Sequence, residues 1–221
     1  IIAISKDNAN RINLNYKTEI VYNFSDLPKL KPKLESYSSK KFLYVGGSSK
    51  IKGFITLVNS LDLLDSSIKI YFAGYYAINN KKSIKDKIKK ILGYNKSFEE
   101  ALIKFRSHPN VIELGMVDNI DNYLSEVCCL ISPFTKPHFS RPIIESHLHY
   151  KPVIGSDVKG MREIINHNSN GFIFTVNNHK ELARVINDCA LDNMSLKKLG
   201  NNGFIVANEK FTKKNIQKIH D

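Results

Sequence analysis

Six short apolar runs alternate with segments of helical period from Lys41 onward, and no other feature constrains the fold as strongly. The runs are Phe42–Val45, Ile68–Ala73, Val111–Leu114, Val127–Ile131, Pro152–Gly155 and Gly171–Phe174. Helical stripes lie between them, at Phe54, Leu57, Val58, Leu61 and Leu64 and at Leu182, Val185, Ile186 and Cys189. Strands that alternate with helices pair in parallel. We therefore predict an α/β fold with a doubly wound, six-stranded, Rossmann-like parallel sheet, which binds ligands at the carboxyl ends of its strands.

The composition fits a globular domain of this kind. Hydrophobic residues make up 42% of the 221 residues and charged residues 24%, and no apolar run approaches the length of a membrane span. The N-terminus lacks the pattern of a signal peptide, so we expect a cytoplasmic protein. Cys128, Cys129 and Cys189 have no metal-like spacing, and we expect them in the core as small apolar residues.

The loop after the first of the six strands is a candidate phosphate site. It has the sequence Gly46-Gly47-Ser48-Ser49-Lys50-Ile51-Lys52-Gly53 and precedes a helix. Paired glycines let the backbone approach a ligand closely, and a lysine can place a positive charge on phosphate oxygens. The motif is neither a P-loop nor a dinucleotide fingerprint, so an ordinary tight turn is the alternative.

A second candidate segment runs from Ser132 to Pro152. Ser140 and Pro142 are typical of a helix start, whose free backbone N–H groups attract phosphate. Glu145 follows within about one turn, where its carboxylate could accept hydrogen bonds from two sugar hydroxyls. This segment could hold a diphosphate and a ribose together, or it could be an ordinary junction between a loop and a helix.

Residues Phe134 to Pro152, with Val153 to Ile165 and Asn170-Gly171-Phe172, resemble the donor-binding signature of glycosyltransferase family 4 (group 1). The resemblance implies a GT-B architecture, in which two Rossmann-like domains face each other across a cleft. It also implies a donor that is a nucleotide-diphosphate sugar, UDP- or GDP-linked, and a reaction that retains configuration without a metal. The signature contains two glutamates, of which the second, associated with the donor ribose, matches Glu145. Pro137 stands at the position of the first, which the family associates with the transferred sugar.

The first loop also resembles the family, with one substitution. Gly46, Lys52 and Gly53 match a Gly-Arg pattern followed by Lys-Gly, whereas Gly47 stands in place of the arginine. Arg141 is the candidate replacement cation, with an exposed helix-start residue as the alternative. The residues expected to bind the donor are Gly46, Gly47, Lys52, His138, Phe139, Ser140, Arg141 and Glu145. No catalytic residue, resident cofactor or metal site is identified. His147 and His149 are two residues apart and point to different helix faces, so together they are a poor pair of metal ligands.

The first 40 residues do not fit the sheet. We predict a strand at Ile1–Ser5, a helix at Lys6–Leu14 and a strand at Glu19–Tyr22, and this region resembles the end of the family's N-terminal domain. The predicted division is 1–25 for the remnant of that acceptor domain, 26–40 for a linker, and 41–221 for the nucleotide-sugar-binding domain with its C-terminal helices. A chain that opens on an apolar strand looks cut.

The net charge of +12 calls for an anionic partner. Ile84, Ile88, Ile91 and Leu92 form one face of a predicted lysine-rich helix that includes Lys81–Lys90. Such a helix could dock on the protein with its lysines solvated, or it could contact the inner face of a membrane peripherally. We expect no nucleic-acid partner, because Trp is absent and no zinc-finger spacing or aromatic RNA-binding motif accompanies the charge.

Two functions follow from these observations. The first is a hexosyltransferase-type glycosyltransferase that transfers sugar to a saccharide or lipid-linked acceptor in cell-surface polysaccharide or glycolipid synthesis, the present chain alone being inactive. The second is a non-catalytic nucleotide-binding or partner-docking domain, which Pro137 and Gly47 favour. Phosphatases and nucleases are disfavoured by the lack of paired carboxylates or a His/Asp metal cluster.

Overall fold

The structure is a computed structural model that describes residues 2–12, 18–28, 33–74 and 96–213. All statements below concern these residues. The predicted lysine-rich helix at Lys81–Lys90 lies outside them.

The N-terminal segment forms a small unit of its own. Strand β1 (Ile2–Ala3) is followed by helix α1 (Lys6–Ile12), and strand β2 (Glu19–Ile20) pairs with β1 in parallel. The predicted order of strand, helix and strand is confirmed, but both strands are shorter than predicted. The hydroxyl of Ser5 accepts a hydrogen bond of 2.9 Å from the backbone of Asn8 and so caps α1.

The main sheet contains the six predicted strands. They are β3 (Lys41–Val45), β4 (Lys69–Ala73), β5 (Val111–Gly115), β6 (Cys129–Ser132), β7 (Val153–Ser156) and β8 (Gly171–Phe174). Their order in space is β5-β4-β3-β6-β7-β8, and every neighbouring pair is parallel. The predicted doubly wound, Rossmann-like sheet is therefore confirmed.

The described helices lie between and after these strands. They are α2 (Phe54–Ser60), continued by a 3₁₀ turn at Leu61–Leu63, then α3 (Lys96–Ser107), α4 (Asp121–Leu124), α5 (Arg141–Leu148), α6 (His179–Leu191) and α7 (Asn193–Lys210). Two further 3₁₀ turns lie at Leu34–Ser38 and Met161–Glu163. No helix among the described residues is long and apolar enough to cross a membrane.

Apolar side chains fill both faces of the sheet. On β3, Phe42 and Tyr44 belong to the core of one face and Leu43 to the core of the other, as the two-residue period of a strand requires. The three cysteines are buried and unpaired in the first of these cores, which confirms the prediction that they act as small apolar residues.

Helix α7 crosses α5 at close range because it carries two glycines at the contact. A Cβ atom at Gly200 would lie 1.9 Å from the carbonyl oxygen of Tyr150, and one at Gly203 would lie 2.6 Å from the ring of His147. Any larger residue would push the helices apart. This contact fixes α5, and with it the segment that precedes α5, against the C-terminal helix.

Hydrogen bonds join the N-terminal segment to the main domain. The carboxylate of Glu163, in the turn after β7, accepts hydrogen bonds of 2.8 Å from the backbone N–H groups of Lys6 and Asp7 at the start of α1. The backbone N–H of Ser25 donates to the carbonyl oxygen of Phe211, just beyond α7. The division at residues 25 and 40 remains a prediction.

Candidate functional site

The strand order reverses between β3 and β6. The chain moves from β3 through β4 to β5 on one side and from β6 through β7 to β8 on the other. The loops that leave β3 and β6 therefore separate in opposite directions and open a crevice at the carboxyl ends of these strands, which is where doubly wound sheets bind ligands. Both loops singled out in the sequence lie at this switch point.

The loop at residues 46–53 turns sharply from β3 into α2. Gly53 caps α2 with a φ of 81°, and a Cβ atom there would lie 1.8 Å from the carbonyl oxygen of Pro133. Gly47 also has a positive φ, of 56°, and is buried, whereas Lys52 is exposed. Gly53 thus allows the chain to turn in a space that no side chain could enter, and Lys52 is the cation that this loop contributes to the predicted set.

The hydroxyl of Tyr44 is hydrogen-bonded to the backbone of this loop. Its side chain is 1% exposed, and its hydroxyl lies 3.1 Å from the carbonyl oxygen of Gly47 and 3.3 Å from that of Lys52. A Cβ atom at Gly46 would lie 2.3 Å from the same hydroxyl oxygen. Burial raises the pKa of Tyr44 well above its ordinary value, so the hydroxyl remains a donor. In the sequence, Tyr44 is distinguished only as part of an apolar strand.

The loop at residues 133–140, which follows β6, is bonded to the first loop. The backbone N–H of Thr135 donates to the carbonyl oxygen of Ile51 at 2.9 Å, and the Thr135 hydroxyl donates to that of Lys50 at 3.3 Å. The buried hydroxyl of Ser156 at the end of β7 donates to the carbonyl oxygen of Phe134. The two loops therefore form one continuous wall across the switch point.

His138 lies on the outer side of this wall. Its ring stacks on that of Phe134, with the centroids 4.0 Å apart, and its backbone N–H donates to the carbonyl oxygen of Lys159 at 3.0 Å. Burial, and then the charges of Lys52 and Arg11, lower the pKa of His138. The charges of one cation from the first loop and one from α1 therefore act on this imidazole and favour its neutral form. The contribution of Arg11 was not foreseen, because α1 is distant in sequence.

Phe139 and Ser140 connect the second loop to α5. The side chain of Phe139 is 4% exposed and packs against Tyr22 and Phe211, with ring centroids 5.4 Å and 5.8 Å away, so only its backbone can face a ligand. Ser140 occupies the N-cap position of α5, as its sequence position predicts, but its side chain makes no capping hydrogen bond. Its hydroxyl is fully buried but has no hydrogen-bond partner among the described residues. Buried hydroxyl groups rarely lack a partner, so the hydrogen-bonding capacity of this one is unused in the structure.

Glu145 and Arg141 are bound to each other. Arg141 Nε lies 2.9 Å from Glu145 Oε1, and the arginine side chain is 64% exposed whereas that of the glutamate is 17% exposed. Burial raises the pKa of Glu145, while the charge of Arg141 and hydrogen bonds from Arg141 and Ser25 act against the increase. The two groups expected on the donor are therefore adjacent, and the arginine is held by the carboxylate in this structure.

His147, in α5, and His149, just after it, are bonded to the protein backbone. The rings of His147 and His149 are buried, and they donate to the backbone carbonyl oxygens of Asn170 and Glu145 at 3.1 Å and 2.8 Å. Within the described residues, no group of three or more His, Cys, Asp or Glu side chains is placed to hold a metal ion.

A separate cavity of about 550 Å³ lies beside the edge strand β8, between the start of this strand and helices α6 and α7. None of the predicted site residues lines it. Both loops, their cations and the start of α5 come together at the switch point. We therefore place the candidate site there and not in this cavity.

Comparison with protein families places residues 27–205 in one model, described as glycosyl transferases group 1. These residues include both loops and α5. A comparison with curated proteins found no match.

Solved structures show the same fold at low sequence identity. HepE from Anabaena, in complex with UDP and glucose, has a TM-score of 0.80 and 22% identity over 99% of this chain and 61% of its own. Sucrose-phosphate synthase from Thermosynechococcus elongatus has a TM-score of 0.77 and 19% identity, with coverages of 99% and 56%. The C-terminal domain of LpcC from Francisella tularensis has a TM-score of 0.65 and 16% identity, with coverages of 86% and 99%. The chain thus spans about three fifths of the length of HepE and nearly all of an isolated C-terminal domain.

Proposed function

Since the chain belongs to the group 1 glycosyl transferases, we propose that it binds a nucleotide-diphosphate sugar, UDP- or GDP-linked, at the switch point between β3 and β6. The complete enzyme transfers a hexose with retention of configuration to a saccharide or lipid-linked acceptor, in cell-surface polysaccharide or glycolipid synthesis. It belongs to family 4 and works in the cytoplasm, with the Lys81–Lys90 segment as a contact to the inner face of the membrane.

The observation that carries this proposal is the unpartnered hydroxyl of Ser140. It is fully buried at the start of α5, where the first backbone N–H groups of a helix have no helical partners. A phosphate at this position would accept hydrogen bonds from both kinds of donor and would meet the positive end of the helix dipole. Lys52, in the loop bonded to this segment, adds a full charge from the other side.

Glu145 is the proposed ribose ligand. Its carboxylate lies about one turn after the helix start and is mostly buried. Little water competes for hydrogen bonds there, so the carboxylate could bind two sugar hydroxyls. Arg141 is then released toward the diphosphate, or it bridges the carboxylate and a phosphate oxygen. This role for Arg141 compensates for Gly47, where a φ of 56° favours glycine over a residue with a side chain.

The reaction needs stabilisation of the leaving group more than it needs a base. Negative charge develops on the diphosphate as its bond to the sugar breaks, and Lys52, Arg141 and the start of α5 are aimed at this charge. His138 is held neutral and could donate one hydrogen bond to the same oxygens or to the sugar. The acceptor and its positioning groups come from the opposite wall of the cleft, so we propose that this chain alone binds donor but transfers little sugar.

Calorimetric titration of the Ser140→Ala variant with UDP and GDP tests the proposal. Because the hydroxyl has no partner, its removal should leave the free energy of unfolding unchanged or slightly higher. If it binds phosphate, affinity for UDP or GDP should fall about threefold to tenfold.

Ser60→Ala is the matched control. Ser60 is also fully buried, but its hydroxyl donates to the carbonyl oxygen of Leu57 at 2.6 Å. This variant should lose stability and keep its affinity. Unchanged affinity in Ser140→Ala would contradict the placement of the diphosphate, and no binding of either nucleotide to the unmodified chain would contradict the proposed function.

The second candidate, a non-catalytic nucleotide-binding or partner-docking domain, is favoured by the ion pair between Arg141 and Glu145, which occupies two of the expected donor ligands. It predicts no transfer even when the complete protein is supplied with donor and acceptor. A transfer assay on the complete protein distinguishes the two functions.

A further inference from the structure

Helix α1 and the turn after β7 enclose a cleft of about 370 Å³. Four cationic residues line it, Lys6 and Arg11 from α1 and Lys159 and Arg162 from the turn. Asp7 and Glu163 are the acidic residues of the lining. Cations therefore outnumber carboxylates in the cleft by two to one.

The two carboxylates are already engaged. Glu163 accepts from the backbone N–H groups of Lys6 and Asp7, and Asp7 lies 2.9 Å from the Arg11 side chain. Arg162 is paired with Asp157 at 2.7 Å, outside the cleft lining. The ammonium groups of Lys6 and Lys159 have no ion-pair partner among the described residues. Counted against Asp7, Glu163 and Asp157, the four cations leave one excess positive charge, and Lys6 and Lys159 are the cations of the lining without an ion pair in the described part of the chain.

The cleft adjoins the candidate donor site directly. The carbonyl oxygen of Lys159 accepts from the backbone N–H of His138, and a Cβ atom at Gly160 would lie 2.6 Å from the carbonyl oxygen of His138. The charges of Arg11 and Lys52 both act on the His138 imidazole. A molecule in the cleft would therefore lie next to a donor bound against the second loop.

We propose that this cleft binds an anionic group, a carboxylate or a phosphate, carried by the substrate that lies beside the donor diphosphate. The inference rests on the proposed function and names the charge class of its substrate. Two ammonium groups that line one cleft and form no ion pair with any described residue attract such a group and favour it over a neutral hydroxyl. The group can belong to the sugar of the donor or to the acceptor.

The test compares charged and neutral ligands on two variants. Lys6→Gln with Lys159→Gln removes both free cations of the cleft, and Lys197→Gln with Lys198→Gln removes two exposed lysines of α7 at the opposite edge of the sheet. The first arm measures UDP, UDP-glucose and UDP-glucuronate by calorimetry. The second arm measures glucose and glucose 6-phosphate in the presence and absence of saturating UDP.

We expect the unmodified chain to prefer the charged member of one pair by about fivefold to tenfold, as two partly exposed ion pairs would give. The cleft variant should lose this preference and keep its affinity for UDP within about twofold, and the α7 variant should keep both. A preference in the first arm assigns the anion to the donor sugar, and one in the second arm assigns it to the acceptor.

Three outcomes would overturn the inference. They are the absence of a charge preference in both arms, a preference that survives in the cleft variant, and a loss of UDP affinity in that variant as large as the loss for the charged ligands. The last would mean that the cleft lysines serve the diphosphate itself. Failure of both UDP and GDP to bind the unmodified chain would instead contradict the proposed function.

Discussion

Replacing Tyr44 by phenylalanine tests whether the first loop is held in a binding geometry by one buried hydroxyl. The change removes a single oxygen that lies 3.1 Å and 3.3 Å from two loop carbonyl oxygens. A hydroxyl has one proton, so it donates one hydrogen bond at a time, worth about 0.5–1.5 kcal/mol net. We expect a loss of about 1 kcal/mol in the free energy of unfolding, measured by urea denaturation.

The same change should weaken UDP binding about threefold to tenfold, because the Gly46–Lys52 segment would adopt several conformations before it binds. The effect should be constant between pH 6 and pH 9, since burial raises the pKa of Tyr44 and keeps the group protonated. Calorimetric titration at the two pH values measures it.

Tyr37→Phe is the control for this experiment. Tyr37 is 5% exposed, and its hydroxyl donates to the carbonyl oxygen of Tyr150 at 2.6 Å, away from the switch point. It should lose similar stability and keep its affinity for UDP. If Tyr44→Phe, like the control, loses stability but keeps its affinity for UDP, the hydroxyl does not organise the site and the reasoning is wrong.

Four further predictions follow from the site and its surroundings. Glu145→Ala should weaken UDP or GDP binding severalfold to tens-fold, and unchanged affinity in calorimetry would remove Glu145 from the ribose site. Arg141→Ala should weaken binding of the nucleoside diphosphate much more than that of the nucleoside, whereas equal losses would leave Arg141 as a surface residue. Burial lowers the pKa of His147 to about 4, compared with its ordinary value of 6.5. The contribution of this group to stability is therefore complete above pH 6.5, and the free energy of unfolding should fall by about 2 kcal/mol between pH 7 and pH 5. His147→Gln should flatten this dependence, and a pH profile parallel to that of the unmodified chain would contradict it. This chain should bind donor yet show little sugar transfer in a radiolabel assay, and transfer at ordinary enzymatic rates would refute the need for an opposite wall.

The strands and both loops could be predicted because their signals are local. An apolar run of four or five residues fixes a buried strand such as β3, and the order of Ser140 and Pro142 marks a helix start within a few residues. The sequence could also have suggested the pair of Arg141 and Glu145, since residues four apart on a helix are neighbours.

Contacts between distant segments could not be predicted in this way. The hydrogen bonds between Glu163 and the start of α1 join residues that are separated by 156 and 157 positions in the sequence, and no sequence period or spacing predicts them. The burial of Phe139 depends on Tyr22 and Phe211, which meet only after α7 is in place. These contacts bring Arg11 and the cationic cleft to the second loop, and a single sequence read locally misses them.

The reversal of strand order divides the chain into two contiguous pieces at the site. Among the described residues, every strand on one side of the switch point ends by Gly115 and every strand on the other begins at Cys129 or later. A break in the backbone between these residues would give two fragments, each with one of the two loops and neither with both. Nucleotide binding would then report on the reassembly of the fragments through the pairing of β3 with β6, which makes this fold a candidate for a split-protein sensor.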